Sequence, residues 1–117
     1  MIKLSNFIWS TKEQVYPFEK ASDGSILYAK EIDCGELPNN GTKQVAHSIS
    51  GLDITKVFKW YMTSATSTDC FSTHYADDGG GSGAPHITGW LNSTQITLVT
   101  RTNRTGGYCK CRIIYSK

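Results

Sequence analysis

The sequence predicts an all-β fold, an antiparallel, jelly-roll-like β-sandwich of about seven to nine short strands. Three observations support this. No apolar segment repeats at helical spacing for more than a turn. Thr, Ser, Gly and Asn are abundant while Pro is sparse. Short alternating segments are separated by turn clusters at the spacing of a sandwich or small barrel. With 117 residues, the chain fits one domain and can bury roughly two-thirds of its unfolded surface.

Residues 1–20 form an extended lead-in or attachment segment, in which Pro17 opposes both a helix and a central strand. Within it, Ser10 or Thr11 as N-cap and Glu13 near N3 allow one helical turn. The sandwich is expected over residues 21–117. Ser22-Asp23-Gly24-Ser25 makes a tight turn, and residues 26–34 alternate, with Ile26, Tyr28, Ile32 and Cys34 on the buried side and Lys30 the exception.

Residues 37–62 are the expected organising unit. A turn cluster leads to a strand at 45–49, a break follows at Gly51-Leu52-Asp53, and a second strand runs over 54–62. The economical reading pairs these two strands through the short turn. In the second, Ile54, Lys56, Phe58 and Trp60 oppose Thr55, Val57, Lys59 and Tyr61, so neither face is cleanly polar and the second face needs a cover.

Residues 69–75 suggest another strand, with Phe71 and also Cys70 as inward candidates. A glycine-rich loop (76–85), a strand (86–91), a turn (92–94) and a strand (95–101) follow. In the last strand Cys109, Cys111, Ile113 and Tyr115 are the core face.

Twelve basic and ten acidic side chains are scattered along the chain, without the basic stripe that a phosphate backbone requires. No run is long enough for a membrane span, and the N-terminus lacks a signal-peptide pattern. The even cysteine count without such a signal favours reduced thiols that pack as small hydrophobes. CKC at 109–111 is not zinc-ligand spacing, and its two thiols lie too far apart for an easy mutual bridge.

Several pieces together resemble a known family. They are Ser10-Thr11-x-Glu13-Gln14-Val15, Asp23-Gly24-Ser25-x-Leu27-Tyr28-x-Lys30, Gly35-x-Leu37-Pro38-Asn39-Asn40-x-Thr42-Lys43-x-Val45-Ala46-His47-x-Ile49, Asn103-Arg104-Thr105 and the C-terminal Ile114-Tyr115-Ser116-Lys117. This pattern is similar to the distal β-sandwich domain of tailed-bacteriophage fibre proteins, tail or head fibres that serve as receptor-binding or minor structural proteins. The resemblance implies a homotrimeric knob on a virion assembled in the bacterial host cytoplasm, joined to other virion proteins (stalk, tail or capsid), without enzymatic activity. It departs from the usual pattern at residues 16–21 and in its four cysteines. No coiled-coil or repeat stalk is present in the sequence.

No nucleophile constellation or paired-carboxylate signal is present. GGGSG lacks the Lys-Ser/Thr of a phosphate loop, and no cofactor or metal is expected. His47, at a strand edge, is expected to hydrogen-bond backbone, and His74, Asp77, Asp78 and His86 could meet only if the glycine loop folds back.

Sugar binding suits the region better. Tyr75, Asp77, Asp78, His86 and Trp90 cluster around that loop, where rings can pack on a sugar's apolar face while carboxylates take its hydroxyls. Tyr75 and Trp90 also fit a core or subunit-interface role. Trp60 and Tyr61 are expected in the core and at a subunit contact. Two alternatives are a structural decoration or adaptor protein that binds no receptor, and a small secreted lectin with oxidised cysteines.

Overall fold

The computed structural model describes residues 7–67, 70–73, 87–101 and 103–117, the side chains of residues 71–73 excepted. Eight strands are described: β1 (Gln14–Lys20), β2 (Ile26–Glu36), β3 (Thr42–Ala46), β4 (Val57–Ala65), β5 (Cys70–Thr73), β6 (Ile87–Leu91), β7 (Gln95–Thr100) and β8 (Tyr108–Ser116). They form two antiparallel sheets, one in the order β1-β2-β8-β4-β5 and one in the order β3-β7-β6. β2 pairs with β8 in the larger sheet and their chain neighbours β3 and β7 pair in the smaller. The ribbon therefore passes from sheet to sheet in jelly-roll fashion.

The core lies between the sheets. Ile32, Cys34, Met62, Cys109, Cys111, Ile113 and Tyr115 from the larger sheet meet Ile87, Ile96 and Leu98 from the smaller, and Leu37, Ile49 and Leu52 close it from the loops. The sheets approach closely at Gly89, where an added Cβ would lie 2.4 Å from Met62 Cε and 2.7 Å from the Thr97 carbonyl oxygen.

Several expectations are corrected. The segments at 45–49 and 54–62 are not a hairpin: β3 pairs with β7 and β4 with β8, in different sheets. The first strand ends at Ala46, because Ser48 turns left-handed (φ 56°). The second begins at Val57, because Asp53 Oδ1 accepts from the Thr55 amide and caps a single 3-10 turn at Ile54–Lys56. The facing within β4 changes at a bulge: Val57 opposes Tyr115 and Lys59 opposes Ile114, leaving Phe58 as the extra residue. Trp60, Met62 and Ser64 therefore turn inward while Phe58 stays exposed.

The Ser10 region forms no helical turn. Residues 14–20 are edge strand β1, where Pro17 needs no ladder partner, so the lead-in is built into the sheet. Ile26 is exposed and Cys70 is exposed rather than turned inward, whereas Phe71 lies outside the described side chains.

Near its start, at residues 27–29, β2 is also covered on its outer face. Its outward Leu27 and Ala29, with Ile114 of β8, are covered by Phe7, Trp9, Tyr16 and Ala21. Part of the second apolar face is thus covered by the chain's own lead-in.

The turn at 22–25 forms as expected. The Gly24 amide donates to the Ala21 carbonyl, Asp23 Oδ1 accepts from the Ser25 amide, and Gly24 takes the left-handed conformation (φ 86°) that glycine adopts without strain.

Candidate binding surface

Of the five residues expected around the glycine loop, Tyr75, Asp77, Asp78 and His86 lie outside the described residues, as does His74. Trp90 is described. Ile87 and Gly89 face the core, so alternation points Trp90 outward from β6, the edge strand of the smaller sheet, with about half of its surface exposed (51%). Its register neighbours across the sheet are Thr97 and Gln44. Trp90 is therefore not a core residue of the single chain.

Phe7, Trp9, Tyr16 and Phe18 form a network of edge-to-face and tilted rings on the outer face of the larger sheet, with centroids 5.3–6.3 Å apart. Its signal in the sequence is two i, i+2 aromatic pairs, Phe7/Trp9 and Tyr16/Phe18, which irregular charges obscure. Beside it, Arg112 Nε donates to Glu31 Oε1 at 2.9 Å, Arg112 also donates to Tyr61 Oη at 3.4 Å, and its guanidinium lies over the Trp9 ring. These three residues are direct register partners across β2, β8 and β4. Tyr61 thus belongs to a surface row, while Trp60 packs against the core.

Four exposed apolar side chains, Phe18, Ile26, Ile54 and Phe58, gather at one end of this sheet. Ile26 begins β2, Phe18 lies near the end of β1, Phe58 is the bulge residue near the start of β4, and Ile54 precedes β4. Their exposures are 47% for Phe18, 50% for Ile26, 53% for Ile54 and 44% for Phe58. An open groove of about 510 Å³ lined by Val15, Phe18, Ile26 and Leu27 lies next to one of about 350 Å³ lined by Leu27, Thr55, Val57 and Phe58. The two adjoin at Leu27, and the second is also lined by Ser22, Asp23, Lys56 and Ser116, so exposed apolar side chains here are interleaved with polar ones.

His47 and the Glu13–Tyr115–Lys117 group have structural partners. His47 is buried: its Nδ1 accepts from the Ile49 amide at 3.0 Å, which places the proton on Nε2, and Nε2 donates to the Asn92 carbonyl at 3.0 Å. The ring clamps the 47–49 bend to the β6–β7 turn, in keeping with the backbone-bonding role expected for it.

Tyr115 donates to Glu13, which also pairs with Lys117 at 2.6 Å. Burial first, then the Glu13 carboxylate, pushes the Tyr115 hydroxyl well above its ordinary range. Burial alone would raise Glu13, but hydrogen bonds from Lys117 and Tyr115 outweigh it and hold the carboxyl below its usual value.

Cys34, Cys109 and Cys111 are buried as small hydrophobes. Among the described residues no group of three or more His, Cys, Asp or Glu is placed to hold a metal, and no helix is long and apolar enough to cross a membrane. Comparisons with protein-family models, curated proteins and solved structures return no match.

Proposed function

We propose that this chain is a non-enzymatic virion structural domain, a fibre knob that assembles with copies of itself and contributes to host-surface recognition. The observation that carries the reading is the group of exposed apolar side chains Phe18, Ile26, Ile54 and Phe58 at one end of the larger sheet. Fully burying one such side chain contributes roughly 1.5–3 kcal/mol, so four exposed together favour a partner surface. That the partner is a second and third copy comes from the resemblance of residues 35–49 and the other quoted pieces to phage fibre domains. Light scattering on the purified chain tests it: a trimer mass is expected, and a monomer at tens of micromolar would reject self-assembly.

Glycan recognition through Tyr75, Asp77, Asp78, His86 and Trp90 is the second half of the proposal. It is supported by the composition of that stretch and by the outward placement of Trp90. Glycan-array or whole-cell binding should be lost when Asp77, Asp78 and His86 are replaced together by Ala. Unchanged binding would remove this half and leave the domain as decoration or adaptor.

A further inference from the structure

The register between β2 and β8 slips beside a buried thiol. Asp33 faces Lys110 and Gly35 faces Cys109, which leaves Cys34 as the extra residue of a bulge opposite Cys109. Cys34 is 2% exposed and Cys109 0%, both are free, and they belong to one core cluster. The Cys34 thiol lies 3.9 Å from the Ile32 carbonyl oxygen and the Cys109 thiol 3.8 Å from that of Lys110, weak contacts within their own strands. The residue opposed to Cys109 is Gly35, at the roughly 4.5–5.5 Å Cα spacing of antiparallel partners; Cys34 is its chain neighbour, buried in the same core cluster as Cys109, and a disulfide spans roughly 4.4–6.8 Å between Cα atoms. Cys111 is placed less well. It opposes Ile32 rather than Cys34, and it is separated from Cys109 along one strand by about 6.8 Å with a parallel side-chain direction.

We propose that Cys34 and Cys109 are a latent disulfide, a staple between β2 and β8 that closes when the chain passes from a reducing to an oxidising medium containing a small-molecule disulfide. Cys109 begins the exchange. Its pKa is lowered by the neighbouring Cys34 and then Ser64, against the opposing effect of burial. It attacks one sulfur of the small disulfide and expels one thiolate, giving a mixed disulfide. The Cys34 thiol then loses its proton and attacks the Cys109 sulfur, expelling the second thiolate. The two protein protons end on the two leaving thiolates, so one small disulfide is reduced for each bond formed.

Both sulfurs are shielded, so exchange requires opening at the bulge and is slow in the folded chain. The bond would enclose most of the sequence, the long-loop case in which a cross-link restricts the unfolded chain most. On the proposed virion reading, the thiols stay open in the host cytoplasm and close after release. The chemistry of the pair does not depend on that reading.

The full chain equilibrated in mixtures of reduced and oxidised glutathione, with and without denaturing urea, and analysed by peptide mass spectrometry after acid quenching, tests the proposal. A Cys34–Cys109 cross-linked peptide is expected, with an equilibrium constant at least ~100-fold larger in the folded chain, because the bond and the fold stabilise each other equally. The midpoint of thermal unfolding should rise by at least ~5 °C on oxidation. Cys70→Ser and Cys111→Ala should keep the cross-link, and Cys34→Ser and Cys109→Ser should each abolish it. If the serine variants do not fold, the wild-type peptide map and the folded-to-unfolded ratio still decide. Absence of the Cys34–Cys109 peptide, a dominant bridge to Cys70 or Cys111, or a ratio of one or less would overturn the proposal.

Discussion

At the scale of single residues, two positions bring the loops and sheets together. His47 uses both ring nitrogens on backbone groups, accepting from Ile49 and donating to Asn92. His47→Leu keeps the apolar volume but strands a buried donor and a buried acceptor, so it should cost about 2–4 kcal/mol in urea unfolding. His47→Leu at wild-type stability would show that water replaces the ring. Gly89 is the converse case, a position where a methyl has no room. The Met62 side chain can yield, but the Thr97 carbonyl at 2.7 Å from the ideal Cβ is fixed by the β6–β7 ladder. Gly89→Ala should therefore destabilise by about 1–3 kcal/mol, and shortening Met62 at the same time should not restore the loss, since the backbone clash remains. The His47 role could be inferred from its place at a strand edge. The Gly89 role could not, because a glycine in a strand does not identify the side chain that will cross over it.

At the scale of elements, alternation is informative where one face of a regular strand meets the core and the other does not, and it misleads at Ile26, where the opposite face of β2 is covered by the lead-in. Residues 108–116 show their core face directly, and Cys109, Cys111, Ile113 and Tyr115 occupy it. The reading failed where one residue interrupts the period, as at Phe58 in β4, because a bulge shifts every later side chain to the other face. It also failed for strand partners: β3 and β4 are neighbours in sequence yet lie in different sheets, and a pattern of period two carries no information about which edge a strand joins. That residues 14–20 would be an edge strand was not legible, because the aromatics of the lead-in are spaced across a charged stretch, and residues 74–86 at the candidate site lie outside the described residues.

The lead-in also makes an element-scale prediction. Glu13 holds the start of β1 to the end of β8 through Tyr115 and Lys117. Its carboxyl is depressed in the folded chain, so the folded state binds its proton less readily than the unfolded state. That contribution is complete above the ordinary carboxylate range and disappears as pH falls through the folded-state value. Glu13→Gln removes the titration. The stability difference between wild type and Glu13→Gln, measured by urea unfolding from neutral pH down to about pH 3, should be largest at neutral pH and shrink on acidification. A difference independent of pH would show that the carboxylate contributes as a hydrogen-bond acceptor alone.

At the scale of the whole molecule, the question is what the fold leaves uncovered after its own lead-in has been laid over the larger sheet. Ile114 and Leu27 are closed off within one chain, so they create no demand for a partner, whereas Ile26 and Phe58 remain about half exposed on the rims of the two adjoining grooves. Neither belongs to the buried clusters, so a charge at either position leaves the monomer core intact. The double variant Ile26→Glu, Phe58→Glu should therefore unfold at nearly the wild-type urea midpoint when both are compared at concentrations too low for association. In an assembled knob the same charges would be desolvated against a neighbouring copy, and the loss of two apolar anchors together with that desolvation should weaken association by at least ~100-fold. Sedimentation equilibrium over a concentration series measures this directly. A variant that stays fully assembled would move the interface elsewhere on the sandwich, and a variant that loses its fold at low concentration would show that this end supports the core rather than a neighbour.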